Sequence, residues 1–282
     1  MVQRRPWLTF MTHATLVLGI LVVGFPIYIA FVASTHALPD ILTAPMPWRM
    51  GPDFIENYTR ALTAGSTAGG TAPVGTMLFN SLVMAMGIAV GKIAISIIAA
   101  FAIVYFDFRF RMFFFWMIFI TLMLPVEVRI LPTYEVVANL GMLNSYAGLI
   151  IPLIASATAT FLFRQFFLMV PDELTEAARI DGAGPIRFFI DILFPMSRTN
   201  IGALFVILFI YGWNQYLWPL LITTEKDFYT ILIGINQMLA VFDNMQEWHI
   251  IMATTLLAMI PPVLVVIGMQ RLFVKGLTET EK

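Results

Sequence analysis

The chain has 282 residues, of which 60% are hydrophobic and 12% charged, and this balance excludes an ordinary soluble domain and indicates an integral membrane protein. Its formal net charge of −1 argues against nucleic acid as a partner. It contains no cysteine, which excludes disulfides, thiol catalysis and cysteine-based metal sites, and its three histidines lie too far apart to form a ligand motif.

Six apolar runs are long enough to form membrane-spanning helices. A span needs about 20 apolar residues, and helices satisfy every backbone polar group internally, as lipid requires. The predicted spans cover residues 14–33, 77–106, 112–131, 146–168, 201–222 and 250–269. We therefore predict an all-α integral membrane protein in which residues 1–282 form a single transmembrane domain. Arg4 and Arg5 before the first run mimic a signal peptide, but the length of the run favours an uncleaved span.

The distribution of basic residues predicts the orientation of these spans. If both termini lie in the cytoplasm, eleven of the 16 Lys and Arg residues fall on the inner side and four on the outer side, with Lys92 inside the second span. Cytoplasmic loops carry an excess of Lys and Arg. Both termini are therefore expected to lie in the cytoplasm.

A polar segment, residues 171–200, interrupts the apolar chain between the fourth and fifth predicted spans. Acidic residues follow Pro171, a pattern typical of a helix start, and Gly182 fits a helix C-terminus that needs positive φ. Pro185 allows a second short helix to begin, and Pro195 is expected to end it. These features predict two short helices on the cytoplasmic side. They form either a docking surface for a partner protein or an ordinary amphipathic connection.

The spacing of residues in segment 171–200 resembles a known family. The residues that carry the resemblance are Glu176, Ala177, Ala178, Asp181, Gly182, Ala183, Phe188, Ile192 and Pro195. They are similar to the EAA loop of ABC importer permeases. This sequence departs from the family's pattern at Thr199, where the family often has a second proline. In that family the loop is the coupling helix that sits in a groove of the cytoplasmic ATPase subunit.

The resemblance covers nearly the whole chain. Residues 140–150, 213–220 and 270–277 resemble the permeases of carbohydrate-type importers, and residues 114–140 resemble the branch of the family that imports sn-glycerol 3-phosphate. The implied fold is that of a type I ABC importer permease. The implied solute is glycerol 3-phosphate or a similar glycerophosphodiester, with a neutral sugar as the alternative.

The resemblance also implies a location in the bacterial inner membrane and a set of partners. They are a homologous second permease that forms a heterodimer with this chain, two ATPase subunits that bind ATP and Mg²⁺, and a periplasmic substrate-binding protein. The chain itself is expected to bind no cofactor and to catalyse no reaction. Its implied ATPase-docking residues are Glu176, Ala177, Ala178, Asp181, Gly182, Ala183 and Pro195. A secondary transporter would instead favour inverted repeats of broken helices, and the sequence contains no convincing internal repeat.

Five residues are candidates for a solute pathway: Lys92, Glu127, Arg129, Trp213 and Asn214. An intramembrane lysine is expensive and needs a partner, for which Glu127 is the best candidate. Either Lys92 and Glu127 pair only to lock neighbouring helices together, or Lys92 and Arg129 supply positive potential for an anionic solute while Glu127 holds them in place. Asn214 either bonds neighbouring helices or lines the pathway.

The sequence Gly87 to Lys92 superficially resembles a phosphate-binding loop. Its spacing is one residue short, and Ile93 stands where Ser or Thr would hold Mg²⁺. Small residues four apart allow two helices to approach closely. We therefore predict that Gly87 and Gly91 serve helix packing rather than nucleotide binding.

Overall fold

A computed structural model describes residues 6–66, 70–123, 126–240 and 246–278. For residues 6, 121–123, 126–127 and 272–278 it describes the backbone alone. All regular structure in these ranges is helical. The helices are α1 (Pro6–Ser34), α2 (Leu38–Leu42), α3 (Phe54–Ala64), α4 (Val74–Tyr105), α5 (Arg111–Met123), α6 (Val126–Asn139), α7 (Tyr146–Ile150), α8 (Ala157–Leu168), α9 (Asp172–Ile180), α10 (Pro185–Phe188), α11 (Phe194–Met196), α12 (Arg198–Trp213), α13 (Leu217–Ile222), α14 (Ile231–Leu239) and α15 (Trp248–Thr278). Two 3-10 turns (Ile151–Leu153 and Lys226–Phe228) and one π-helical stretch (Phe189–Leu193) complete them.

Six helical stretches overlap the six predicted spans. Among the described residues, three helices are long and apolar enough to cross a membrane alone: Trp7–Ser34, Val74–Tyr105 and Trp248–Arg271. Two bent pairs qualify together: Tyr146–Leu153 with Ala157–Leu168, bent by 50°, and Pro185–Met196 with Arg198–Trp213, bent by 70°. The shorter apolar helix α5 supplies the remaining stretch.

The structure differs from the predicted spans in where helices break. The predicted continuous span 201–222 is divided into α12 and α13 by the non-helical residues 214–216. The two prolines of the last predicted span do not break the helix: α15 continues through Pro261 and Pro262.

The chain divides into two compact units. One comprises Met1–Thr76 and Gly234–Ile260, and the other Met77–Ile233 and Pro261–Lys282. In the first unit, Asn57 on α3 donates to the carbonyls of Ser34 and His36, at 3.0 Å each, and so ties α3 to the end of α1. An ion pair between Arg60 and Glu247 joins α3 to the start of α15.

The second unit is held by a core in which α4, α6, α7, α12 and α13 meet. Its buried members are Met84, Ile88, Ile130, Val137, Leu149, Leu153, Trp218 and Ile222. The indole of Trp218 donates to the carbonyl of Gly148 at 3.1 Å, which satisfies the one polar atom of a fully buried ring.

Three glycines, Gly87, Gly91 and Gly212, let α4 approach its neighbours closely; we call them the glycine seam. A Cβ on Gly87 would lie 2.6 Å from Cδ1 of Ile150, and one on Gly91 would lie 2.5 Å from Cγ2 of Ile154. A Cβ on Gly212 would lie 2.9 Å from the Cα of Ala85. The packing role predicted for Gly87 and Gly91 is confirmed.

Candidate functional site

Segment 171–200 begins with a helix whose two ends follow from the sequence. Pro171 is the N-cap residue of α9, one position earlier than its predicted place in the first turn, and the helix begins at Asp172. The negative charges of Asp172 and Glu173 stabilise the first turn, where the backbone N–H groups point outward.

The C-terminus of α9 has the hydrogen bonds of a Schellman motif. Gly182 adopts φ of +72°, and its N–H donates to the carbonyl of Arg179 at 3.1 Å. The N–H of Ala183 donates to the carbonyl of Ala178 at 2.8 Å. Because L-residues other than glycine rarely adopt this backbone conformation, Gly182 is what allows the chain to leave the helix here.

The predicted docking residues divide into an exposed and an inward-facing group. Glu176, Ala177, Asp181 and Gly182 are exposed, while Ala183 and Pro195 are half-buried. Ala178 differs from the expectation, because only 6% of it is exposed.

Ala178 faces aromatic side chains of the same unit rather than a partner. With Phe101 and Tyr105 of α4 and Phe188 of α10 it lines a cavity of about 120 Å³. The rings of Tyr105 and Phe188 lie 5.3 Å apart on the side of this cavity that α9 covers. Ala178 therefore supports the exposed face instead of belonging to it.

The second half of segment 171–200 is a continuous helical run rather than one simple short helix. It begins at Pro185, passes through the π-helical stretch and reaches Met196, so Pro195 lies inside α11 and the direction changes after it. Three large apolar residues on this segment, Ile180, Ile186 and Ile190, are exposed, the first two by 86% and 73%. Such exposed apolar side chains are typical of a surface that a partner covers.

Lys92 is buried within α4, with 7% of the residue exposed. Its Nζ lies 3.8 Å from the ring centroid of Tyr211 on α12, a cation–π distance. The half-buried Arg129 on α6 is near enough to act electrostatically on Lys92. Two positive charges therefore occur together in the apolar interior of the second unit.

The predicted partner of Lys92 is Glu127, which lies on α6. Its side chain is outside the described part of the structure. Arg129 also borders an otherwise largely apolar groove of about 420 Å³ between α6 and Ile151–Pro152.

Trp213 and Asn214 have different environments although they are adjacent. Trp213 is buried and stacks on Phe209, with ring centroids 5.8 Å apart, so it packs the core. Asn214 is exposed and begins the break between α12 and α13. Broken helices of this kind form solute sites in several transporter folds.

Sequence reasoning missed the polar side chains that hold the loop after α13. Asn80 donates to the carbonyls of Asp227 and Tyr229, at 2.7 and 3.0 Å, and accepts a hydrogen bond from Tyr146 at 2.7 Å. Asn144 accepts from the N–H groups of Thr224 and Glu225 at 2.7 and 3.1 Å. An amide at position 80 within an apolar run was the available signal, since a polar group there needs a partner.

Comparison with known proteins identifies the family. Residues 92–279 match the family described as "Binding-protein-dependent transport system inner membrane component". The chain is 58% identical over 282 residues, all of both chains, to the sn-glycerol-3-phosphate transport system permease protein UgpE of Agrobacterium fabrum, of Escherichia coli O1:K1 and of Brucella melitensis.

A solved structure shows the same fold. It is a crystal structure of a bacterial ABC transporter involved in the import of the acidic polysaccharide alginate, with a TM-score of 0.78 and 18% identity. The match covers 96% of this chain and 98% of the other. The type I permease fold is thus present over almost the full length. The chain belongs to the family of inner-membrane components of binding-protein-dependent transport systems.

Proposed function

We propose that this chain is the permease subunit through which an ABC importer moves glycerol 3-phosphate, or a similar glycerophosphodiester, into the cytoplasm by alternating access. The main support is the buried positive charge of Lys92 with Arg129 nearby, in a chain that is 58% identical to sn-glycerol-3-phosphate permeases. A phosphate ester carries negative charge through an apolar interior, and fixed cations lower the cost of that passage.

Tyr211 suits this role because it holds the ammonium without neutralising it. A cation over an aromatic face is stabilised by about 0.5–2 kcal/mol, whereas a carboxylate partner would cancel the charge. The contact with this ring therefore stabilises the ammonium without itself cancelling the charge. The exposed Asn214 at the helix break adds an amide that can hydrogen-bond hydroxyl or phosphate oxygens.

The coupling to ATP is proposed to act through α9. Its exposed face, with Glu176, Ala177 and Gly182, would dock on an ATPase subunit, and the exposed isoleucines at 180 and 186 would become buried there. ATP and Mg²⁺ would be bound by that subunit, so no cofactor site and no catalytic residue are assigned to this chain.

The proposed assembly contains this permease, a homologous second permease, two ATPase subunits and a periplasmic binding protein. Both termini and segment 171–200 are proposed to lie in the cytoplasm, as the distribution of Lys and Arg predicts.

The test is ATPase stimulation by defined solutes in the reconstituted complex. The binding protein is loaded with glycerol 3-phosphate, a glycerophosphodiester or a neutral sugar, and ATP hydrolysis is measured with each. We expect stimulation and uptake with the phosphate-bearing solutes. Stimulation by a neutral sugar alone would contradict the proposed substrate but leave the importer role intact. Failure of any ATPase subunit to co-purify in mild detergent would favour the secondary transporter instead.

A further inference from the structure

Arg164 lies where α5 and α8 pack together. The rings of Phe119 on α5 and Phe161 on α8 are 5.9 Å apart. One turn further along α8, the guanidinium carbon of Arg164 lies 4.7 Å from the ring centroid of Phe115. The apolar contact between the two helices therefore ends in a positively charged group.

The hydrogen-bonding capacity of Arg164 is largely unused. Its Nε is buried and has no hydrogen-bond partner among the residues that the structure describes, and one terminal nitrogen lies 3.9 Å from the sulfur of Met112, a weak acceptor. Among the side chains that the structure describes, no carboxylate forms an ion pair with it. The contact between the terminal nitrogen and Met112 is exposed, so an external acceptor can reach this end of the guanidinium, and a charged donor forms its strongest hydrogen bonds with an anionic acceptor.

Two further arginines lie at this end of the helix pair. Arg111 begins α5, and its ion pair with Asp107, at 3.5 Å, is weak because the Asp107 side chain is almost fully exposed. Arg109 is exposed beside Phe110. Two further arginines thus lie in the region of Arg164, whereas the nearby carboxylates of Asp107 and Asp172 are both exposed to solvent.

The surface beside this charge is apolar and exposed. Phe113 and Trp116 on α5 and Leu168 at the end of α8 are all exposed large apolar residues. Arg164 lies four residues before the end of α8, which places it ~6 Å inside that end. Aromatic residues and a basic group at this depth are typical of the boundary between headgroups and acyl chains.

We propose that this surface binds an anionic phospholipid, whose headgroup phosphate accepts hydrogen bonds from Arg164 while its acyl chains lie along Phe113, Trp116 and Leu168. The planar guanidinium suits a phosphate because it offers several donors in fixed geometry. The site adjoins segment 171–200, since only three residues separate the end of α8 from Asp172. A bound lipid would thereby stabilise the helix that leads into α9.

The experiment measures which lipid lies beside Leu168. The chain has no cysteine, so Leu168→Cys gives one site on it for a bimane fluorophore. The labelled chain is purified with the subunits that accompany it and reconstituted in phosphatidylcholine vesicles containing phosphatidylglycerol. Quenching is compared between vesicles in which the acyl chains of one or the other lipid are brominated at equal total bromine.

We expect phosphatidylglycerol to be enriched about fivefold over phosphatidylcholine at this site, the effect expected of one basic residue near the surface. Arg164→Met should abolish the enrichment, and Arg164→Gln serves if the Met variant does not assemble. Arg198→Met, which removes an exposed arginine at the start of α12, should leave the enrichment unchanged. Equal quenching by both lipids in the labelled chain that retains Arg164 would overturn the proposal. Absence of quenching by either lipid would overturn it as well, because a protein partner would then cover the site.

Discussion

Lys92 is the residue whose charge the proposed solute pathway needs most. We expect the double variant Lys92→Met with Glu127→Gln to insert and fold normally, since removing an intramembrane ammonium saves ~2.5–3.5 kcal/mol on insertion scales. We expect its uptake of glycerol 3-phosphate to fall at least about tenfold, because the positive charge that attracts the phosphate is gone. Radiolabelled uptake, normalised to the folded amount by size-exclusion chromatography, measures both effects. Tyr211→Phe is the control, because it keeps the ring face under the ammonium.

The single variant separates two roles for Glu127. If Glu127 pairs with Lys92, Lys92→Met alone leaves a carboxylate unpaired and lowers stability, and the double variant restores it. Normal uptake by the double variant would show that Lys92 serves only to hold helices together.

The effect that we predict for a substitution at Gly182 depends on its backbone conformation rather than on the room for a side chain. A Cβ at Gly182 meets no atom within 4 Å, but its φ is +72°, so Gly182→Val strains the backbone by about 1–2 kcal/mol. Gly184 is a matched control: it also has open space, and its φ of −71° with ψ of 168° suits valine. We expect Gly182→Val to abolish solute-stimulated ATP hydrolysis and Gly184→Val to retain most of it. Equal activity in the two variants would contradict a conformational role for Gly182.

At the scale of the element, α9 presents one face to solvent and the other to its own protein. Ala177→Asp would place a charge on the exposed face, where it becomes buried only if the ATPase docks. We therefore expect this variant to lose ATPase co-purification without losing thermal stability. Ala178→Asp places the same charge in the buried contact with Phe101 and Tyr105 and should lower the melting temperature of the chain itself. Unchanged ATPase binding by Ala177→Asp would show that this face is not the docking surface.

The ends of α9 were predictable from sequence and its facing was not. Acidic residues after a proline and a glycine ten residues later encode where the helix starts and stops. The side on which Ala178 lies depends on Phe101, more than seventy residues earlier in the chain. No local pattern carries such a contact. The break at residues 214–216 was missed for a related reason, because the apolar run continues through it.

At the scale of the whole molecule, the proposed orientation can be tested with single cysteines in a chain that has none. Ser66, in the loop after α3, is buried and donates to Glu247 at 2.8 Å, so it is a poor site for labelling. Thr63 and Gly184 are exposed. We expect a membrane-impermeant maleimide added to intact spheroplasts to label Thr63→Cys, and Gly184→Cys only after lysis. Labelling of both from outside would overturn the proposed orientation.

The glycine seam has a consequence for how the transport cycle can move this subunit. Where backbones touch, as at Gly212 and Ala85, two helices cannot roll against each other without a clash, since packed surfaces have discrete rather than continuous arrangements. We therefore expect α4 and α12 to move as one rigid body. The motion that exchanges inward and outward access must be absorbed at hinges, and the chain offers two next to α12: the 70° bend after Met196 and the gap at residues 214–216.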